Sequence, residues 1–147
     1  MTLPGLREAE AKEGRSEGAC QLFPYLLTSI ADDRETALRD CKGQIGFYYT
    51  TALYHSILEL HGWRDVGDAC RAAFRKGDFA SLGEAVPDAL VDEIAIACTP
   101  DEAADRLAEW KDLTTLPFFY APSVGVSEGR RREIADGILD TFGQVNA

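Results

Sequence analysis

Three apolar runs set the rhythm of this chain, and each is followed by a polar step and a helical pattern. The first, QLFPYLLTSIA (21–31), is almost continuously apolar, as in a strand covered on both faces. The second is the short run IAIAC (94–98), and the third is LPFFYAP (116–122). Ahead of them, residues 3–14 read as a short charged helix. After the first run, Asp32 and Asp33 offer an N-cap, and Glu35 falls in the first turn, where the helix dipole favours negative charge. From about residue 34 to residue 60 the spacing predicts one long helix, ended by Gly62. One apolar stripe runs from Ile45 through Tyr48, Tyr49 and Leu53 to Leu60, and a second holds Phe47, Tyr54 and Leu58. That helix is apolar on more than one side, unlike an ordinary surface helix.

Shorter helices are predicted over 65–76 and 79–84, parted by the Gly-Asp step at 77–78. Pro87 suits the first turn of a brief helix, PDALVDE. Beyond the second run, Thr99 reads as an N-cap with Pro100 at the first helical position and Glu102 completing a capping box. Ala103, Leu107 and Trp110 then face inward. Ser127 caps the last helix, which is expected to bury Ile134, Ile138, Leu139 and Phe142. Three strand-then-helix units in succession imply an α/β protein with a parallel sheet and right-handed crossovers. Two architectures satisfy this pattern within one domain over 1–147. One is a small open sheet; the other is a partial (β/α) barrel of the TIM type, about three βα units with extra helices.

Composition narrows the function classes. The 147 residues are 46% hydrophobic and 27% charged, which suits a globular fold. A net charge of −10 opposes nucleic acids and anionic membrane surfaces. Four scattered cysteines form no CxxC, and His55 and His61 share no helical face, so no metal site is expected. Cys98 reads as a packed thiol, with no histidine near it in sequence. The first residues lack the apolar core of a signal peptide, and no run approaches the roughly 20 apolar residues of a membrane span. A soluble, cytoplasmic protein is the expectation.

Candidate chemistry is sparse. The step at 98–102 opens a helix, whose N-terminus can hold an anion. Its own Asp101 and Glu102 oppose that, so it reads as a joint. Arg130, Arg131 and Arg132 occupy the first turns of the last helix, where positive charge opposes the dipole. In β/α barrels the loops after the last two strands often bind phosphate beside a helix N-terminus. Arg130 and Arg131 are therefore the substrate- or anion-binding candidates. The plain alternative pairs Arg132 with Asp136 at i+4 and leaves the other two solvated. No Gly-rich phosphate loop, nucleophile elbow or HExxH occurs, and catalytic residues stay unassigned.

The segments IGFYYTTALYHSILELHGW (45–63), GDFASLGEAVPDALVDEIAIACTPDEAADRL (77–107) and FFYAP followed by GRRREI resemble the luciferase-like flavin- or deazaflavin-dependent oxidoreductases, which are eight-stranded β/α barrels. Cys98 and Asp101 stand where that family usually has Gly and Glu. LELHGW (58–63) is most similar to the branch that uses the deazaflavin coenzyme F420 rather than FMN. The resemblance implies an oxidoreductase, monooxygenase-like, that transfers hydride or activates oxygen through a reduced cofactor at the C-terminal strand ends. F420 is the implied cofactor and FMN the alternative. It also implies that residues 3–14 correspond to the helix before strand six, and the three strands to strands six, seven and eight. Some sugar-phosphate-using relatives place an Arg-Arg pair just after the last strand, as Arg130 and Arg131 stand here. Phe47, Tyr48, Tyr49 and Tyr54 are read as core or subunit interface, with a flavin-pocket wall as the alternative.

Most flavin contacts of the family lie in the five preceding units. The resemblance thus implies a C-terminal fragment, not catalytically complete alone, that works with the missing barrel half. A non-catalytic half-barrel is the alternative, self-associating as a homo-oligomer to cover its strand edges. A small stand-alone α/β binding protein is the third reading.

Overall fold

Strand β1 (Tyr25–Ile30) is the centre of the molecule, because both other strands pair with it. In this computed structural model, which describes residues 3–111, 113, 114 and 116–143, β2 (Ala95–Cys98) runs parallel to β1 with Leu27 opposite Ala95. On the other side β3 (Phe118–Tyr120) is also parallel, with Tyr25 opposite Phe118. The sheet order is β2-β1-β3. The α/β class and the parallel sheet are as the sequence predicts. The order was not legible: a closed barrel sets its strands in chain order, and here β1 lies between the other two.

That order distributes the helices. The step from β1 to β2 and the step from β2 past β1 to β3 run in opposite directions, so right-handed crossovers place their helices on opposite faces. The first crossover holds α2 (Arg34–Tyr48), α3 (His55–Leu60), α4 (Arg64–Arg75), α5 (Ala80–Glu84) and α6 (Asp88–Ile94). They pack on Leu27, Ala95 and Ala97, with Ile45, Leu58, Leu82 and Leu90 at the centre. The second crossover is α7 (Ala103–Ala108), and α8 (Glu128–Phe142) follows β3. Their face holds Leu26, Ile30, Ile96 and Cys98, with Phe119 stacked on Phe142 at 4.4 Å. Helix α1 (Leu3–Lys12) precedes the sheet.

The single helix expected over 34–60 is instead two helices. Helix α2 stops at Tyr48, Thr51 is extended at φ −90° and ψ 120°, and a 3-10 turn (Ala52–Tyr54) leads into α3. The Thr50 hydroxyl bonds the Phe47 carbonyl, and His55 Nε2 lies 3.0 Å from the Tyr49 carbonyl. The Phe47 carbonyl also accepts the Thr50 amide at 3.2 Å, so the hydroxyl reinforces that turn, while His55 answers a carbonyl at the end of the broken helix. The break shifts the helical phase, so Leu53 and Leu60 are 80% and 84% exposed while His55 and Leu58 are buried. Gly62 ends α3 at φ 76°. Helix α2 meets α5 closely at Gly46, where a Cβ would lie 2.4 Å from the Leu82 carbonyl oxygen.

Smaller corrections follow the same logic. Pro87 precedes α6 as its N-cap residue, extended at ψ 152°, rather than sitting in the first turn. Ile94 belongs to α6 and not to β2. Leu139 is exposed, since α8 buries Ile134 and Phe142 with Ile138 at the margin. Asp33, Thr99 and Ser127 cap as expected: Asp33 accepts the Thr36 amide at 2.8 Å, and Ser127 accepts that of Arg130 at 3.2 Å. Among the described residues no helix is long and apolar enough to cross a membrane.

Candidate functional site

Open α/β sheets bind ligands beyond the C-terminal strand ends, where neighbouring connections leave in opposite directions. Here that point lies between β1 and β3, and the chain's own polar groups fill it. The Ser29 hydroxyl donates to Asp40 Oδ2 at 2.8 Å. Arg130 reaches the same oxygen through Nε at 3.1 Å and Nη2 at 2.8 Å, and its Nη1 donates to Glu133 at 3.0 Å. One turn further along α2, Gln44 Oε1 accepts the Ser123 amide, the Ser123 hydroxyl and the Val124 amide at 3.0–3.2 Å. Asp40 and Gln44 thus tie the β3–α8 connection to α2. Both are buried.

This arrangement decides what the arginines can do. The hydrogen bond from Arg130 to Asp40 holds the guanidinium charged, with its pKa raised further. The Asp40 side chain is only 8% exposed, while Glu133 is 66% exposed. One partner is fixed and the other exchangeable. Arg131 is exposed and has no ion pair among the described residues. Arg132 pairs with Glu128 rather than Asp136. The open part of the cleft, about 400 Å3, is lined by Asp32, Glu133, Asp136, Asp140 and Arg130 among others. Four carboxylates to one guanidinium make a poor seat for an anion. Asp40 and Gln44 were missed from sequence. The available signal was a pair of polar residues one turn apart among buried Ala37, Cys41 and Ile45.

The opposite end of α2 has no such charges. Tyr48, Tyr49 and Tyr54 face Tyr25 of β1, Tyr120 of β3 and Ile94 of α6 across a cleft of about 600 Å3. Because alternate strand residues share a face, Tyr25, paired with Phe118, and Tyr120, paired with Leu27, stand on the α2 side. The Tyr120 hydroxyl donates to that of Tyr48 at 3.4 Å. Burial raises the pKa of Tyr49 and Tyr120, and for Tyr120 the bond to Tyr48 adds to it. The expected aromatic cluster is therefore partly a wall of open space. Phe47 turns instead toward Phe74, 6.1 Å away.

The other candidates are structural. At 98–102 Glu102 accepts the Thr99 amide at 3.0 Å, which holds its carboxyl pKa down and completes the joint between β2 and α7. Cys98 is buried, and burial pushes its thiol up to about 11. His55 lies inside the break after α2, with Nδ1 unpartnered 3.8 Å from Asp68. Among the described residues no three His, Cys, Asp or Glu side chains are grouped to hold a metal ion.

Comparison with known proteins supplies what the geometry does not. The family profile described as luciferase-like monooxygenase matches residues 1–115. An uncharacterized protein of Mycobacterium tuberculosis strain H37Rv is 28% identical over 129 residues, covering 84% of this chain and 38% of that protein. The 5,10-methylenetetrahydromethanopterin reductase of Archaeoglobus fulgidus is 30% identical over 104 residues, covering 67% of this chain and 31% of the reductase. The chain spans less than two-fifths of the length of either relative.

Proposed function

The chain belongs to the luciferase-like monooxygenase family, and on that premise we propose that it serves a flavin- or deazaflavin-dependent oxidoreductase. The observation that carries this reading is the family match over residues 1–115, which takes in β1, α2 and β2 with the helices between them. Coenzyme F420 is the proposed cofactor and FMN the alternative. LELHGW at 58–63 resembles the F420 branch, and a reductase stands among the similar proteins. Four free thiols suit a reducing, cytoplasmic setting.

The residues present do not fit the whole cofactor. F420 and FMN both carry anionic phosphate, and the strand-end cleft offers four carboxylates against Arg130. In this reading the anion contact of Arg130 and Arg131 becomes available only where an anion displaces the exposed Glu133, with Asp40 keeping Arg130 in place. The cofactor site is then completed by further barrel units, and turnover requires them. A TIM-type barrel is the architecture proposed for that complete assembly; for β1, β2 and β3 to stand in it as strands six to eight, β3 must leave β1 and pair with β2, because the order in this chain is β2-β1-β3. Both β2 and β3 have one edge unpaired among the described residues, which supports a partner there. The same edges support the second reading, a non-catalytic half-barrel that self-associates.

Sedimentation of the purified chain with F420 or FMN, followed at the coenzyme's absorbance, tests the proposal. A monomer that carries no coenzyme, or coenzyme that travels only with an assembled species, is the expected result, and the bare monomer would at the same time overturn self-association. Tight binding by the monomer overturns the incomplete site. An assembly that carries neither coenzyme overturns the oxidoreductase reading in favour of the half-barrel.

A further inference from the structure

Tyrosine occurs five times in this chain, and all five line the one cleft between α2, the turn after it and the sheet. On the sheet side, Tyr25 and Tyr120 meet edge to face with centroids 6.3 Å apart. On the helix side, Tyr54 stands 6.5 Å from Tyr48 and 6.3 Å from Tyr49. Ile94 closes the remaining side. None of the seven phenylalanines is in the lining, although packing alone would accept phenylalanine equally well. Hydroxyl-bearing rings brought together from three separate stretches of chain indicate a use for the hydroxyls.

The chemistry of the walls limits the occupant. In a chain that is 27% charged, this lining holds no acid, lysine or arginine among the described residues, and placing an unpaired charge there would be costly. Ring faces favour a flat, aromatic partner, since offset or edge-to-face contacts add to burial. The volume, about 600 Å3, falls within the ordinary range of small-molecule sites. The Tyr48 oxygen accepts from Tyr120, which leaves its own O–H to donate. We propose that the tyrosine cleft binds a neutral, planar aromatic carbonyl compound of the quinone or enone class, with Tyr48 as hydrogen-bond donor to the carbonyl. The site lies at the N-terminal end of β1, with Tyr120 the last residue of β3, and it shares no lining residue with the cleft around Arg130 and Glu133 where the cofactor reading places its anion. It therefore stands or falls separately from that reading.

Titration with 2,3-dimethyl-1,4-naphthoquinone, followed by amide chemical shifts, tests it. Both reactive ring carbons of this probe are blocked, so the half-buried Cys20 thiol does not add to it. Saturable changes are expected at 25, 48–54, 94 and 120. The anionic 9,10-anthraquinone-2-sulfonate should bind at least tenfold more weakly. Loss of one neutral hydrogen bond should make Tyr48→Phe about three- to tenfold weaker. Tyr54→Ala should weaken binding by a similar factor through the lost ring contact. Four results would each overturn the proposal: changes centred elsewhere, no saturable change, equal binding of the sulfonate, or affinities unaltered in both variants. Absence of quinone binding accompanied by a dimer whose amide contacts fall on the five tyrosines would assign the cleft to a second copy instead.

Discussion

The middle and the C-terminal end of α2 meet the sheet in opposite ways. Along its middle turns, Asp40 and Gln44 are buried and take six hydrogen bonds from Ser29, Arg130, Ser123 and Val124. At its C-terminal end, Tyr48 and Tyr54 are 38% and 42% exposed, and one long hydroxyl contact to Tyr120 is the polar bond the cleft holds. Buried polar groups must be matched, and their matching becomes part of the fold. Aromatic rings at a surface carry no such demand. Position at the C-terminal strand ends therefore does not make the charged cluster an open binding site, because its partners are already in place.

Substitutions sharpen that contrast. Asp40→Ala removes the shared acceptor of Ser29 and Arg130 and leaves both without it. Urea unfolding should show a loss of about 2–4 kcal/mol, as for broken buried polar pairs. At the other end, Tyr25→Ala removes a ring that is 76% exposed and should change stability by about 0.5 kcal/mol or less. A large loss for Tyr25→Ala would make the cleft part of the core and end the comparison.

A third region behaves like the charged end on a smaller scale. Glu10 of α1 is buried and accepts the Cys20 amide at 2.6 Å, the Gly18 amide at 3.1 Å and Arg7 at 2.9 Å. The Cys20 amide and Arg7 hold its carboxyl at about 2, below its ordinary 4.5. A depressed folded pKa contributes stability that is present above the unfolded value and is lost as pH falls through the folded one. The protection of amides 18 and 20, taken against the intrinsic exchange rate at each pH, should thus be high at pH 5 and fall between about pH 4.5 and 2. Glu10→Gln should remove that pH dependence.

The sequence carried the units better than their arrangement. The caps at Asp33, Thr99 and Ser127 were legible because capping is local chemistry, fixed within four residues. The break at 49–54 was not: apolar periodicity runs through it, and His55 answers the Tyr49 carbonyl only once the chain has turned. Strand order is set by long-range pairing, and no residue near β3 records that its neighbour is β1. At the site, Arg130 stood out as a cation against the helix dipole. Its partner Asp40, ninety residues away, did not. The tyrosines read as core because their helical spacing resembles an apolar stripe, and their shared cleft depends on Tyr25 and Tyr120 arriving from the sheet.

A double-mutant cycle on Asp40→Ala and Arg130→Ala, followed by urea unfolding, bears most directly on the division between these two regions of α2. If the arginine holds the β3–α8 connection to α2, the two losses will be non-additive, with a coupling of about 1–3 kcal/mol. Additive losses, with a coupling indistinguishable from zero, would contradict that role and return Arg130 to the open surface as a free cation.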